Sequence, residues 1–498
     1  MHSRLARRPD SVILLIAGYF VLAFVVRLLM PHSMRYDESE QVFFAQTMAL
    51  GYDSQPPLYN WLQTLAIHAF GLTLATIAAV KNLVLFLVYL SYYKLARLVL
   101  ADKVFAVIAT LSLLTIPQLF WEAQRDLTHT VAQLVAINCF LYAVFRTLKA
   151  PSTLSYAAIG VALGLGMLTK YNFALLAAAV AVAAWYYPGG RARLLDRRFW
   201  LAVAIAGLIF LPHGLWIVHN FDLASDRTLG MMEKGAKSSA LANAMRGILK
   251  FLQQIVAIAA PTVIVYLLVF GRIFIKGLRL KNERTRFFDI LFIVIALLLL
   301  VLIVGMQMAT IRDRWLLPYL FLLPIYFCLK MEATGARGED FLRRFIFIPL
   351  AMMLIVPSLL LARVSFPNLF RYYEAYNIPY ETFLSGALSA EGHRPGLVLT
   401  DDWKPAGNLR LQLPDVPVMS TFFYNLVVPY AWSADHPVLL VWLPEQGDNT
   451  VPEELKAWIG QHLGQQYAEP APRYADIRYM RGKPDDTFRF GYAWIYPK

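Results

Sequence analysis

The sequence predicts a polytopic α-helical membrane protein of about eleven transmembrane helices with a C-terminal extracytoplasmic α/β domain. Three observations carry that expectation. Of the 498 residues, 58% are apolar and 16% charged, whereas a soluble globular chain carries about a quarter charged residues. The apolar residues recur in blocks about 20 residues long, the length that crosses the ~30 Å hydrocarbon layer. Beyond residue 362 the blocks stop, and short apolar runs alternate with prolines and charges. A cytosolic enzyme is excluded by the first two observations alone.

Taken in order, the blocks cover approximately residues 11–30, 76–96, 103–120, 127–147, 153–169, 171–187, 199–218, 250–270, 287–308, 315–331 and 345–362. The first has no small-residue cleavage site and the length of a full span, so it reads as an uncleaved anchor. Arg4, Arg7 and Arg8 precede it, and the loops on that same side carry most of the Lys and Arg. The positive-inside rule therefore keeps the N-terminus in the cytoplasm. An odd number of spans sends the C-terminus to the opposite side. The organisation expected is a membrane domain over 1–362, with far-side loops at 31–75, 121–127, 219–249 and 309–314, and a soluble domain over 363–498. Inside the latter, GLVLT (396–400), PVLLVWL (437–443) and FRFGYAWIY (488–496) have strand length and bulk. Thr450, Pro452, Glu453 and Glu454 open a helix that ends near Gly464. Asp401 and Asp402, after the first of these strands, read as a turn. The net charge of +13 reports topology, and no nucleic-acid partner is expected. Cys139 and Cys328 lie in separate apolar blocks and read as packing residues.

Polar residues concentrate in the far-side loops. The first loop places Asp37, Glu38 and Glu40 just past the membrane boundary. One reading is structural: Asp37 caps a helix over about 38–50 with Glu40 in the capping-box position and Gly51 as terminator. The other is a catalytic acid. WEAQRDLTHT (121–130) brings Glu122, Arg125, Asp126 and His129 to the interface. The three-residue spacing of Asp126 and His129 puts them on one helical face, as half a metal site or as a polar helix start. GMLTKYN (166–172) leaves Lys170 between two spans, where an ammonium needs either an anion or a route to the headgroups. ATIRDRWLLP (309–318) sets Arg312 and Arg314 around Asp313, suited to forking onto a phosphate or to anchoring headgroups. With His213, His219 and Asn220 at the far end of another span, these loops are expected to serve a single cavity into which Asp37, Lys170 and Arg312 open.

Carboxylates beside cationic phosphate binders suit transfer of a group from a membrane-embedded phosphate ester to an acceptor hydroxyl or amine. Such a donor carries its own activation. No Gly-x-x-x-x-Gly-Lys-[Ser/Thr] loop, Gly-x-Gly-x-x-Gly turn, Gly-x-Ser-x-Gly elbow or His-Glu-x-x-His pair occurs in the chain, which argues against nucleotide-driven and common hydrolytic chemistry.

RYDESEQ after the first span, then GYDSQPPLY, then the Lys of GMLTKYN, then RWLLP at a late span together resemble the GT-C glycosyltransferases. Within that fold family the pattern is similar to the bacterial family 39 and family 83 type enzymes that modify lipopolysaccharide, among them aminoarabinose transferases and rhizobial galacturonosyltransferases. The resemblance covers the first ten spans and is strongest in the first third. It implies a polyprenyl-phosphate sugar donor, a lipid or glycolipid acceptor such as lipid A or core oligosaccharide, and a periplasmic site in the bacterial inner membrane. It assigns the base to Asp37 with Glu38 as its neighbour, adds Asp126 as a second acid, and gives Lys170, Arg312 and Arg314 to the donor phosphate. It also puts Tyr52, Gln55 and Pro56 beside the donor. Ser54 and Gln55 stand where aminoarabinose transferases have Glu and Lys, which speaks against that sugar; Gln-Pro-Pro is nearer the galacturonosyltransferase branch. A uronic acid such as galacturonic acid would suit Arg35, Arg125, Arg312 and Arg314, with His129 and His213 as further substrate-binding candidates. Arg27, near the end of the first span, reads as a snorkelling side chain. No metal ligand set is assigned, no cofactor is required, and a divalent metal is left open. The expected state is a monomer among membrane lipids. The competing functions are protein O-glycosyl transfer from the same donor and flipping or transport of a polyprenyl-linked sugar.

Overall fold

The computed structural model describes residues 2–233, 239–444, 450–464, 467 and 470–498, the side chains of His2 and Glu233 excepted. Residues 234–238 of the far-side loop expected over 219–249 lie outside the described set. Among the described residues eight helices are long and apolar enough to cross a membrane: Pro9–Leu29, Leu74–Val99, Thr128–Lys149, Arg198–His219, Ala240–Phe270, Glu283–Gly305, Asp313–Glu332 and Glu339–Ser365. A ninth is broken, Lys103–Thr115 and Gln118–Arg125 meeting at 72°. The remaining two expected spans are the shorter apolar helices Thr153–Met167 and Phe173–Trp185. At 1.5 Å per residue these reach roughly 20–23 Å, short of a full bilayer core, because the GMLTKYN segment interrupts what would be longer helices.

The chain divides into two compact units. The first comprises Met1–Val21, Asp53–Leu58 and Asn82–Val356. Its helices start where short polar side chains satisfy the unpaired N–H groups of a first turn. Asp102 accepts from the backbone of Val104 at 2.7 Å, and Ser152–Ser155 and Asn282–Thr285 form capping boxes. Small residues set the closest helix approach. A Cβ on Gly160 would lie 2.6 Å from the Ala202 carbonyl oxygen, and one on Gly164 2.8 Å from Ile209. This four-residue spacing of glycines is the pattern that lets membrane helices touch backbone to backbone. Buried hydroxyls cross between helices as well, Thr115 to Thr262 at 2.8 Å and Ser112 to Tyr266 at 3.0 Å.

The second unit comprises Leu22–Tyr52, Tyr59–Lys81 and Pro357–Lys498. Its centre is a five-stranded sheet built from β1 (Leu397–Thr400), β2 (Val418–Ser420), β3 (Val438–Trp442), β4 (Arg473–Arg478) and β5 (Thr487–Ile495), in the order β2-β1-β3-β5-β4. The first three pair in parallel, with Leu399 opposite both Met419 and Leu440, while β5 runs antiparallel to β3 and β4. β1 and β3 are buried along their whole length, as parallel strands covered on both faces must be. Val398, Leu439, Val441 and Phe490 feed one core; Leu397, Leu399, Leu440 and Trp442 feed the other, under the helix Glu453–His462.

The first of those cores also contains Phe43, Phe44 and Tyr52 of the loop that follows the first span. The Gln46 side chain clasps the edge strand, donating to the Val418 carbonyl at 2.9 Å and accepting from its N–H at 2.8 Å. The helix Tyr36–Phe44 lies against Trp403–Gln412 so closely that a Cβ on Gly407 would fall 2.0 Å from the Ser39 carbonyl oxygen. The loop expected to hold the catalytic acid is thus folded into the C-terminal sheet.

Candidate active site

In the second unit the acids of the first loop have distinct environments. The helix Tyr36–Phe44 begins two residues earlier than expected, with Arg35 at its N-cap and no side-chain cap, and it ends at Phe44, short of Gly51. Asp37 therefore stands inside the first turn, half-buried, and the capping box expected between Asp37 and Glu40 does not form. The N-terminal dipole still favours its negative charge. Asn408 pairs with both backbone groups of Met34, accepting at 2.7 Å and donating at 3.3 Å, and so fixes the chain entering this turn.

Glu38 points inward. Arg27 donates to both its carboxylate oxygens at 3.1 and 3.3 Å, and the Lys81 Nζ lies 3.9 Å away. Burial alone would raise the Glu38 pKa, but Arg27 and then Lys81 outweigh it and hold the carboxyl below its usual range. Arg27 does not snorkel. It is 6% exposed, because its guanidinium also donates to the carbonyls of Pro31 and Ser33 at 3.1 Å each and lies over the Tyr376 ring. Arg35 is engaged with Glu374 at 2.8 Å, and Arg363 meets the same buried carboxylate at 2.8 Å. Tyr52 is a core residue whose hydroxyl donates to the Thr47 carbonyl at 2.8 Å.

The first unit gathers the remaining candidates. Lys170 Nζ donates to Thr130 Oγ1 at 2.8 Å, and Leu58 N–H donates to the Leu168 carbonyl at 3.0 Å. These bonds bring the SQPPL and TKYN segments together, so Gln55 and Pro56 lie in the stretch joined to the Lys170 turn. Asn172 ties that turn onward, accepting from Gln133 at 2.7 Å at its side chain and from Tyr319 at 3.0 Å at its carbonyl. Gln118 donates to Asp313 at 3.2 Å. Arg312 is partly buried, and that burial, followed by the neighbouring charges of Arg314 and Arg227, lowers its pKa. Asp53 faces the same cations, 2.7 Å from Arg227. Burial, and then the Asp53 charge, raise the pKa of Tyr171. Arg227, Arg312 and Arg314 thus form a cationic cluster, with Asp53 and Asp313 beside it, whose guanidinium groups suit a phosphate.

WEAQRDLTHT departs from expectation. Gln118–Glu122 is a single π-helical turn, Asp126 is extended at φ −141°, ψ −153°, and Leu127 is left-handed at φ 70°. The helix starts only at Thr128, so Asp126 and His129 do not share a helical face. A bulky residue in the left-handed region costs about 1–2 kcal/mol, and π-turns recur where a helix is reshaped around a site. Arg125 sits 3.8 Å from Glu122 and over the Trp121 ring, and His129 is buried. His213 is fully buried in a ring stack between Tyr171 and Trp216, its Nε2 3.1 Å from the Tyr171 hydroxyl. Among the described residues no group of three or more His, Cys, Asp and Glu is placed to hold a metal ion. Arg27, Lys81, Asp53 and Arg227 were not singled out as site residues from the sequence; Asp53 lies within the GYDSQPPLY motif itself, and Arg227 is one of four Lys and Arg residues in the loop expected over 219–249, with no motif around it.

The family model for dolichyl-phosphate-mannose-protein mannosyltransferases matches residues 54–216. The lipopolysaccharide core galacturonosyltransferase RgtB of Rhizobium johnstonii (strain DSM 114642 / LMG 32736 / 3841) is 41% identical over 491 residues, covering 98% of each chain. The chain belongs to the lipopolysaccharide core galacturonosyltransferase family. RgtA of the same strain, also a core galacturonosyltransferase, is 36% identical over the full length of both chains. Members of this family are GT-C glycosyltransferases, and the present chain is an enzyme of that lipopolysaccharide-modifying type. Its fold matches that of ArnT from Cupriavidus metallidurans, solved in the apo state and bound to undecaprenyl phosphate, with TM-scores of 0.61 and 0.58 at 15% identity over 98% of each chain. The family thus combines the helical membrane part and the C-terminal sheet predicted from the sequence.

Proposed function

We propose that this galacturonosyltransferase-family enzyme moves one galacturonic acid residue from a polyprenyl-phosphate donor to lipopolysaccharide core or lipid A on the periplasmic face of the inner membrane. The observation that carries the reading is end-to-end identity of 41% with a core galacturonosyltransferase. The cationic cluster of Arg227, Arg312 and Arg314 supports a phosphate-linked donor. In the reaction the acceptor hydroxyl oxygen bonds to the anomeric carbon as the bond from that carbon to the phosphate oxygen breaks. The acceptor proton passes to Asp37. The electron pair leaves with polyprenyl phosphate, whose charge Lys170, Arg312 and Arg314 neutralise. Attack opposite the leaving group inverts the anomeric carbon.

Glu38, held as an anion by Arg27 and Lys81, fixes the turn that carries Asp37, and Asn408 braces the chain entering that turn, while Tyr52 ties down the far end of the same loop at Thr47. Arg35 positions the loop through Glu374. Asp126, Arg125 and His129 line the reshaped helix break beside Thr130, the residue that holds Lys170, and contact substrate there; Gln55, Pro56 and His213 support the Lys170 turn. A glycolipid acceptor is favoured over a protein one because both relatives matched along the length of the chain are named lipopolysaccharide core galacturonosyltransferases. Mass spectrometry of lipopolysaccharide from a deletion strain tests this. The core or lipid A species should lose a uronic acid mass and regain it on complementation; an unchanged lipopolysaccharide with altered envelope glycoproteins would move the acceptor to protein.

A further inference from the structure

The helix Leu58–Phe70, which belongs to the second unit from Tyr59 onward, is amphipathic the wrong way round for a soluble fold. Its buried residues are Tyr59, Asn60, Gln63 and Thr64, all capable of hydrogen bonding and all on one face. Leu62 and Leu65, on the other side, are 40% and 56% exposed, as expected of a helix lying in the membrane interface with its apolar side to lipid. Asn60 and Gln63, three residues apart, are 2% and 1% exposed, and neither Asn60 Nδ2 nor Gln63 Nε2 has a hydrogen-bond partner among the described residues. Buried amide donors are rarely left unpaired, since each carries its full desolvation cost. The same face reaches the acids of the first loop. Tyr59 is perturbed upward by its own burial and then by the charges of Glu38 and Asp37.

We infer that Asn60 and Gln63 bind the carboxylate of the transferred uronic acid and so select the sugar; this rests on the galacturonosyl-transfer reading above. Both orphaned groups are donors, and a carboxylate is the sugar substituent that only accepts. Neutral amides can meet it without burying a second charge. A neutral hexose would present a hydroxyl in its place, with half the acceptor capacity and no charge to strengthen the bonds.

The test uses the full-length purified enzyme with two probes, polyprenyl-phosphate galacturonate and polyprenyl-phosphate galactose, on one core-oligosaccharide lipid acceptor. Asn60→Leu and Gln63→Met preserve side-chain volume and remove the orphaned donors. Each should leave the thermal midpoint unchanged or raised while lowering the galacturonate-to-galactose ratio of kcat/KM at least about tenfold. Gln63→Glu, nearly isosteric, should suppress galacturonate transfer through like-charge repulsion and retain transfer of any galactose the wild type uses. An unchanged ratio in all three variants, with the wild type active on galacturonate, would overturn the inference alone. A wild type active with neither donor would overturn the underlying transfer reading, and the inference with it.

Discussion

Asp37 and Glu38 are neighbours in sequence with opposite fates, and the difference is set by what surrounds each carboxylate. Glu38 meets Arg27 and Lys81 in a buried cluster, so it is held ionised and away from proton transfer, whereas Asp37 remains half-buried in the first turn. Asp37→Asn should lower transfer at least about a hundredfold while leaving expression and donor binding intact, measured as turnover and as donor-dependent thermal stabilisation of the same preparation. Arg27→Met leaves Glu38 without its main partner in a buried site and should destabilise the fold by about 3–5 kcal/mol, read as the loss of midpoint in a thermal melt. Glu38→Gln should cost less, because an amide oxygen still accepts from Arg27. The RYDESEQ motif made the acids visible in the sequence. It gave no means of ranking them, because Arg27 and Lys81, which separate their roles, lie on two other helices.

Among the helices and strands, those with a long apolar period or an uninterrupted bulky run were readable, and the interrupted ones were not. β1, β3 and β5 fall where GLVLT, PVLLVWL and FRFGYAWIY predicted them. β2 is three residues long directly after Pro417, and β4 alternates between exposed and half-buried residues, so neither carries a strong apolar signal. The π-turn before Asp126 erased the helical spacing assumed for Asp126 and His129. Packing of Thr153–Met167 on Arg198–His219 depends on bare backbone at Gly160. Gly160→Leu should sharply reduce the yield of folded protein, because the new side chain meets the Ala202 carbonyl. Gly207→Leu, on the partner helix where a Cβ would meet nothing within 4 Å, should be tolerated in the same detergent-stability assay. At the end of β1, burial and then the Asp402 charge push the Asp401 carboxyl up to about 6. The folded state therefore holds that proton more tightly than the unfolded chain, and its contribution to stability is lost as pH rises from about 4 through about 6. Asp401→Asn should remove this loss and gain about 1–3 kcal/mol at pH 7.5, seen as slower amide exchange in β1 and β3 relative to wild type at that pH and not at pH 4.

For the molecule as a whole, composition and the charge of the loops were enough to predict a many-helix membrane protein with a C-terminal α/β part, and the eleven apolar blocks all appear as helices, although two are too short and one too bent to meet a simple length rule. What composition left hidden was the folding of the first loop into the C-terminal sheet through Phe43, Phe44, Gln46 and Asn408, since such contacts join residues more than 350 positions apart. The same loop carries the proposed base, Asp37, so the sheet holds in place the segment to which the proposal assigns proton transfer. A transferase and a flippase would both bind a lipid-linked sugar, but only the transferase breaks the bond to phosphate. The most direct measurement is therefore the yield of free polyprenyl phosphate when purified enzyme is incubated with polyprenyl-phosphate galacturonate and a core-oligosaccharide lipid acceptor. One phosphate should be released for each uronic acid gained by the acceptor, and neither product should form with Asp37→Asn; a donor that crosses vesicles or stays bound with its sugar–phosphate bond intact would contradict the account.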